Sequence, residues 1–358
     1  MITDNKKLSR KHRRYSYLWQ TFTMAAIISM MLTAGFLFLT PSNAGACASC
    51  GCMLSTDWKN LQFCTTPGLS LDFRWDYINQ DQLRSGTGTI SPIAASQFNN
   101  NSTEVERYTR TSFFTLGAGY NINPDWGINV QIPWVDRSHG TFGVPGAGWD
   151  GSSIVSGSGA YDSHTSSIGD VRVMANYQGF FPSRHLGVTF GFKLPTGRDD
   201  LTGTSTDPAT PGSPAQIDPG LQPGTGSTDA ILGAFYTNSL GFKWGYFAQA
   251  LVQTALINRE IYRPGSAINA NLGIRYLGIS SFFPQFQLNF RAADRDSGAI
   301  ADVGDTGGTL LYVSPGVEVP ISFHLSWYGF VQLPVYQNLN GVQLAPRYTT
   351  SVGVHYLF

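Results

Sequence analysis

The sequence predicts an all-β protein, a transmembrane antiparallel β-barrel of about 12 strands preceded by a cleaved signal peptide. Three observations carry this reading. Apolar and polar residues alternate with a period of two in segments that recur from residue 68 to the C-terminus, the pattern of strands with one face in lipid and the other in water. The connections between these segments alternate between short and long. The composition is rich in glycine (40 of 358 residues) and aromatics (13%), and its Asp, Glu, Lys and Arg content of 13% is about half the globular norm. After residue 46 no apolar run is long enough to span a bilayer as a helix.

Residues 1–46 read as a secretory signal. Lys6, Lys7, Arg10, Lys11, Arg13 and Arg14 form the basic region, Met24 to Leu39 the apolar region, and Ser42-Asn43-Ala44 and Ala44-Gly45-Ala46 two small-x-small cleavage sites. Removing its six basic residues and one acid (Asp4) from 23 of each leaves 17 basic and 22 acidic residues, a net charge of −5. No basic stripe points to nucleic acid.

Residues 47–67 form a cysteine-rich segment holding Cys47, Cys50, Cys52 and Cys64, spaced C-x2-C-x-C followed by eleven residues and C. In an oxidising periplasm four such thiols form two disulfides, with three connectivities open. A metal held by the four thiolates, with Met53 as a further soft ligand, is the second reading, and lipidation of Cys47 the third. No resident cofactor is expected unless the cluster holds a metal. The segment would plug the barrel or dock a periplasmic protein.

The first barrel strand is Leu69 to Tyr77. Leu69, Leu71, Phe73, Trp75 and Tyr77 fall on one face; Asp72, Arg74 and Asp76 fall on the other. Further strands are expected at about 107–120, 126–135, 167–178, 186–194, 228–238, 244–256, 267–277, 284–292, 309–319, 325–336 and 346–358. Short connections fall at 121–125, 179–185, 238–243, 278–283 and 320–324; the longer ones include 79–106, 137–166, 195–227 and 337–345. Short turns on the periplasmic side and long loops outside are the habit of such barrels, and an even count leaves both termini periplasmic. Trp126, Trp244 and Trp327 each open a strand after a short turn, a girdle position. Pro133, Pro195 and Pro334 are expected at the outer rim, where ladder pairing stops, and Pro315 at a bulge.

The last strand reads R-Y-T-T-S-V-G-V-H-Y-L-F. Tyr348, Val352, Val354, Tyr356 and Phe358 share one face; Arg347, Thr349, Ser351, Gly353 and His355 share the other. Ending on such a strand with a terminal aromatic resembles bacterial outer-membrane barrels. Four further stretches carry a narrower resemblance: Ile168-Gly-Asp-Val-Arg172, Phe192-Lys-Leu-Pro-Thr-Gly197, Leu221-Gln-Pro-Gly-Thr-Gly226 with Asp229, and Val331-Gln-Leu-Pro-Val-Tyr336 before Asn340-Gly341. Over about residues 68–358 the chain resembles the bacterial outer-membrane family of the phenol-degradation meta-pathway type, porins or transporters, with the cysteine-rich segment added. The resemblance implies a bacterial outer-membrane location and a role with aromatic compounds, and supplies no catalytic residues.

Strand parity gives a lumen-facing set: Asp72, Arg74, Asp76, Asp170, Arg172, Lys193, Arg275, Arg291, Glu318 and Arg347, with amides such as Asn129, Gln249, Asn269, Asn271, Gln287, Asn289 and Gln332 between them. Two functions remain open. One is a channel or transporter for small solutes. The other is a non-conducting structural or redox barrel whose cysteine segment binds a metal or docks a periplasmic electron-transfer partner. Beyond outer-membrane lipid, the expected partners are a solute and such a periplasmic protein. Enzymatic activity is not expected. His164-Thr165-Ser166 has the His-x-Ser spacing of the outer-membrane phospholipase family, whose pair faces lipid, but shared parity with Asp170 and Arg172 points both side chains at the lumen. The loop 202–226, rich in Pro, Gly, Thr and Ser, either folds inward as a constriction or stays solvated.

Overall fold

Alternation at period two sorts the side chains to two faces, and a sheet with one wholly apolar face has to hide it or meet lipid. Here the sheet closes on itself. The structure, a computed structural model, describes residues 67–257 and 261–358; the signal segment and, except for Pro67, the cysteine-rich segment lie outside these residues. The strands are β1 (Gly68–Gly86), β2 (Gly88–Thr89), β3 (Glu106–Asn121), β4 (Trp126–Thr141), β5 (Tyr161–Ile168), β6 (Arg172–Tyr177), β7 (Leu186–Lys193), β8 (Thr202–Ser205), β9 (Pro214–Gln216), β10 (Thr228–Leu240), β11 (Trp244–Ile257), β12 (Ala267–Tyr276), β13 (Phe283–Ala293), β14 (Gly308–Pro320) and β15 (Leu325–Leu357). Every pairing between them is antiparallel. The ring runs β1–β3–β4–β6–β7–β10–β11–β12–β13–β14–β15 and returns to β1, with β5 extending the β6 stave along β4.

Eleven strands therefore close the wall, and one of them does double duty. At ~3.3 Å per residue the 33 residues of β15 would run ~110 Å, several membrane thicknesses. Its first limb pairs with β14 and its last limb with β1, the chain reversing near Gly341, which has φ 52°. Counted by limb the wall has the twelve staves expected. The loop expected over 337–345 is absent, because strand pairing continues to the tip of this hairpin. Leu357 pairs with Ser70, and the Phe358 amide donates to the Leu69 carbonyl at 2.9 Å, so both ends of the barrel chain meet at the short-turn rim.

Phe73, Leu116, Ile128, Phe190, Leu232, Leu272, Val354 and Tyr356 are among the large apolar side chains left exposed on the outer wall. A soluble protein would not tolerate so continuous a patch. Trp126 packs at a tilt against Tyr177 and Trp244 against Tyr276, ring centres 4.7 Å apart in each pair, beside the short turns, as an interfacial girdle requires. Inside, four aromatic rings cover glycines. An added Cβ would meet Phe235 at Gly187, Phe247 at Gly273, Phe330 at Gly316 and Tyr328 at Gly353, all within 2.3 Å. Glycine leaves the space into which each ring folds, a device that mends the weak pairing of strand glycines.

Proline placement departs from expectation in three cases. Pro195 does follow the end of β7. Pro133 instead lies inside β4, where the partner strand is interrupted between β5 and β6 and its carbonyl accepts from the Gly169 amide at 2.8 Å. Pro334 sits at a register shift between β14 and β15. A break or bulge frees an N–H position as well as a rim does. Pro315 needs no bulge; the β14–β15 ladder lapses over Ser314 and Pro315 and resumes in the same register.

The long loops fold over one mouth. Helix α1 (Pro92–Ser96) starts with the Ser91 hydroxyl accepting from the Ala94 amide at 3.2 Å and proline in its first turn, a standard start. Its Ala95 packs with Leu83 of β1, Val342 and Leu344 of β15, and Val105 and Trp149 of the loops in one apolar cluster.

Candidate functional site

The inward faces carry polar residues that pair mainly with one another. Asp72 accepts from the Tyr328 hydroxyl at 3.0 Å, with His355 at 3.7 Å. Arg74 Nε lies 2.7 Å from Asp76 Oδ2, and the Ser351 hydroxyl donates to the other oxygen at 2.6 Å. Arg275 stands 3.7 Å from Glu318, which also accepts from Gln285 at 3.1 Å. Between these pairs runs an amide ladder in which Asn289 donates to Asn271 at 2.8 Å and accepts from Ser314 at 2.6 Å, while Arg291 donates to Asn269 at 3.0 Å. Buried polar groups are stable only when satisfied this way.

Three of the stretches that carry the family resemblance converge on one ammonium. Lys193, at the end of β7, is 4% exposed. Its Nζ lies 2.9 Å from Asp170, between β5 and β6, and 3.2 Å from Asp229 on β10; it also donates to Thr225 and to Ser227. Asp170 accepts further from the amides of Gly197 at 3.1 Å and Thr225 at 3.0 Å and from the Thr225 hydroxyl at 2.8 Å. Gly197 and Gly224 pack backbone to backbone, and a Cβ on either would meet the other within 2.7 Å. The motif residues thus clamp both ends of the loop 195–227.

That loop folds inward. Ile217 and Leu221 are buried against Tyr161, the Gln222 amide exchanges two hydrogen bonds with the Leu201 backbone at 3.1 and 2.8 Å, and Arg137 Nη1 donates to the carbonyls of Gly220 at 3.3 Å and Gln222 at 3.5 Å. Arg137 belongs to β4, which continues to Thr141, so this inward residue falls where sequence reading places a loop. Its neighbours Asp136 and Ser138 are polar too, so no alternation in the sequence marks which of them faces inward.

The inward loop divides two cavities. The central one, about 190 Å³, is lined by Arg74, Arg172, Lys193, Arg291 and the Gly220–Pro223 turn among others. The outer one, about 60 Å³, is lined by Glu104, Glu106, Asp218, Asp296, Asp302 and Asp305 without a basic residue. Gly220, Tyr262 and Asp296 border both, and the Tyr262 hydroxyl donates to Asp296 at 2.8 Å. In the outer chamber burial pushes the Glu104 carboxyl well up, with Asp218 adding to it. Burial and then Asp302 raise Asp218, and burial takes Asp305 up to about 6. Among the described residues no group of three His, Cys, Asp or Glu is arranged to hold a metal ion.

Of the expected lumen set, Arg74, Asp76, Asp170, Arg172, Lys193 and Arg291 line the central cavity, and Asp72, Arg275 and Glu318 make the inward pairs above. Arg347 does not join them. It is exposed and pairs with Asp81 at 2.8 Å, because a register shift between Asn79 and Gln80 leaves it out of the ladder and reverses its facing. His164 and Ser166 also turn outward, contrary to expectation, since the strand breaks between Ile168 and Arg172 and parity does not carry across. His164 Nδ1 contacts the Ser138 hydroxyl at 3.1 Å, its Nε2 lies 3.6 Å from Asp136, and Ser166 accepts from Trp134 Nε1 at 3.1 Å. Cys47, Cys50, Cys52 and Cys64 lie outside the described residues.

No family model and no curated protein matches the sequence. Among solved structures the chain is similar to an outer-membrane channel of Pseudomonas putida F1, with 13% identity and a TM-score of 0.55 over 82% of this chain and 96% of that one. It is also similar to the toluene transporter TbuX of Ralstonia pickettii, with 11% identity and a TM-score of 0.43 over 82% of this chain and 91% of that one. The first likeness shows the fold. The chain is an outer-membrane-type antiparallel β-barrel.

Proposed function

We propose that this protein is a channel or transporter of the bacterial outer membrane that passes a small solute through the barrel, with the loop 195–227 as its constriction. One observation carries the reading. Inside a wall whose outer face is apolar lie two cavities lined by charged, polar and apolar residues together, stacked from the loop end inward and bordered by the same Gly220, Tyr262 and Asp296. A barrel of about twelve staves sits between those that side chains fill and those that stay open. A loop held across the lumen by a single arginine and one buried lysine knot then sets what passes. The description of the similar Pseudomonas putida protein as an outer-membrane channel supports the same reading. No catalytic role is assigned to any residue.

Liposome swelling with the purified full chain tests it. Swelling in a panel of aromatic acids, sugars and small ions is expected to exceed that of protein-free vesicles for at least one solute class. Rates equal to the protein-free control across the whole panel would contradict the proposal.

A further inference from the structure

The central cavity holds charge that its own residues do not balance. Arg74, Arg137, Arg172, Lys193 and Arg291 line it together with Asp76, Asp170, Asp229 and Asp296, five cations to four carboxylates, an excess of one positive charge. The carboxylates are already committed. Asp76 belongs to Arg74. Asp170 and Asp229 share Lys193, and Asp229 also accepts from Ser227 at 2.6 Å and Gln253 at 2.6 Å. Asp296 accepts from Tyr262 and from the Gly265 amide at 2.9 Å.

Arg172 is the exception. It stands at the first position of β6 and lines this cavity, yet its guanidinium makes no hydrogen bond or ion pair with any described residue. The guanidiniums of Arg291 and Arg74 lie close enough to repel it, and Asp229 and Asp170 close enough to attract it, but both carboxylates are paired with Lys193. An arginine fork aimed into a cavity without a partner is the natural receptor for a planar, bidentate anion. Phe113, Pro133, Val135, Pro223 and Pro264 give the same space an apolar side, beside the polar Thr115, Gln131 and Gln253.

We propose that the central cavity binds a monocarboxylate with a small apolar body, the carboxylate on Arg172 within the field of Arg74 and Arg291, and the body against Phe113 and the prolines. A single negative charge completes the cavity's balance, whereas a dianion would overshoot it. The inference rests on the channel reading and names its solute class.

Titration calorimetry of the purified full chain in detergent, with benzoate and with benzyl alcohol, tests it without requiring conduction. Wild-type protein is expected to bind benzoate and to bind benzyl alcohol at least tenfold more weakly. Arg172→Gln is expected to lose at least tenfold in benzoate affinity, and Arg172→Lys, which keeps the charge and loses the fork, to fall between. Heat modifiability on gels confirms that each variant is a folded barrel. Equal binding of the two probes, no benzoate binding by wild type, or unchanged benzoate affinity in Arg172→Gln would overturn the proposal. Benzoate binding by a protein that passes no solute would instead count against the channel reading alone.

Discussion

Replacing Lys193 with methionine tests how the constriction is held. The ammonium is nearly inaccessible and lies 2.9 Å from Asp170 and 3.2 Å from Asp229. Removing one partner of a buried ion pair costs about 3–5 kcal/mol, because the abandoned charge stays desolvated. Here two carboxylates would be abandoned facing each other, so the upper part of that range applies, about 4–5 kcal/mol. Adding Asp229→Asn removes one of those charges, and the double variant should recover part of the loss. Asp170 pins Gly197 and Thr225, so the loss should appear first in the loop and only later in the wall. The assay is urea unfolding of protein refolded into detergent, followed by tryptophan fluorescence, with thermolysin cleavage within 202–226 reporting the loop. Loop cleavage should accelerate in Lys193→Met at urea concentrations where the barrel remains intact. A cost below about 1 kcal/mol, the value of an exposed pair, or a double variant no better than the single, would refute the reasoning.

Further outcomes follow from the same geometry. Arg137→Met removes the donor to the Gly220 and Gln222 carbonyls, worth about 1.5–3 kcal/mol for a charged donor, and should raise single-channel conductance and current noise with little change in barrel stability. Asp305 has its carboxyl raised from 3.8 to about 6, so the folded loops bind more protons than the unfolded chain between those values. The stabilisation is complete below about pH 4 and is lost as pH rises through about 6; amide protection factors, corrected for the intrinsic pH dependence of exchange, should be higher at pH 5 than at pH 8 in the loops bearing Glu104, Asp218 and Asp305. Gly273→Val would drive a side chain into the Phe247 ring, which an added Cβ already meets at 2.1 Å, and should cost about 1–3 kcal/mol in urea unfolding. Thiol titration of the purified protein should find no free thiol if Cys47, Cys50, Cys52 and Cys64 form two disulfides; four thiols with stoichiometric metal would decide for a metal site.

Period-two alternation made most of the wall legible, down to strand ends within a few residues for β3, β7, β11 and β12. It failed where the ladder breaks. Facing can be counted along a strand only while the register holds, so a bulge beside Asn79 misplaced Arg347, and the interruption between Ile168 and Arg172 reversed His164 and Ser166. Strand ends beyond the bilayer carry no lipid-facing signal, so β4 was read short and Arg137 with it. The convergence of Asp170, Lys193, Thr225 and Asp229 was latent in three short motifs, whose spacing says nothing of contact. The acidic outer chamber left no trace, because Glu104, Asp218 and the Asp302–Asp305 pair come from three separate loops that only the closed mouth brings together.

The central claim is that solute passes through the lumen beside an inward-folded loop. Single-channel recording of the full-length protein in planar bilayers tests it most directly. The account predicts discrete conductance steps, small for a wall of about twelve staves, that grow in Arg137→Met. A membrane with inserted protein that shows no steps, for wild type and Arg137→Met alike, would contradict it.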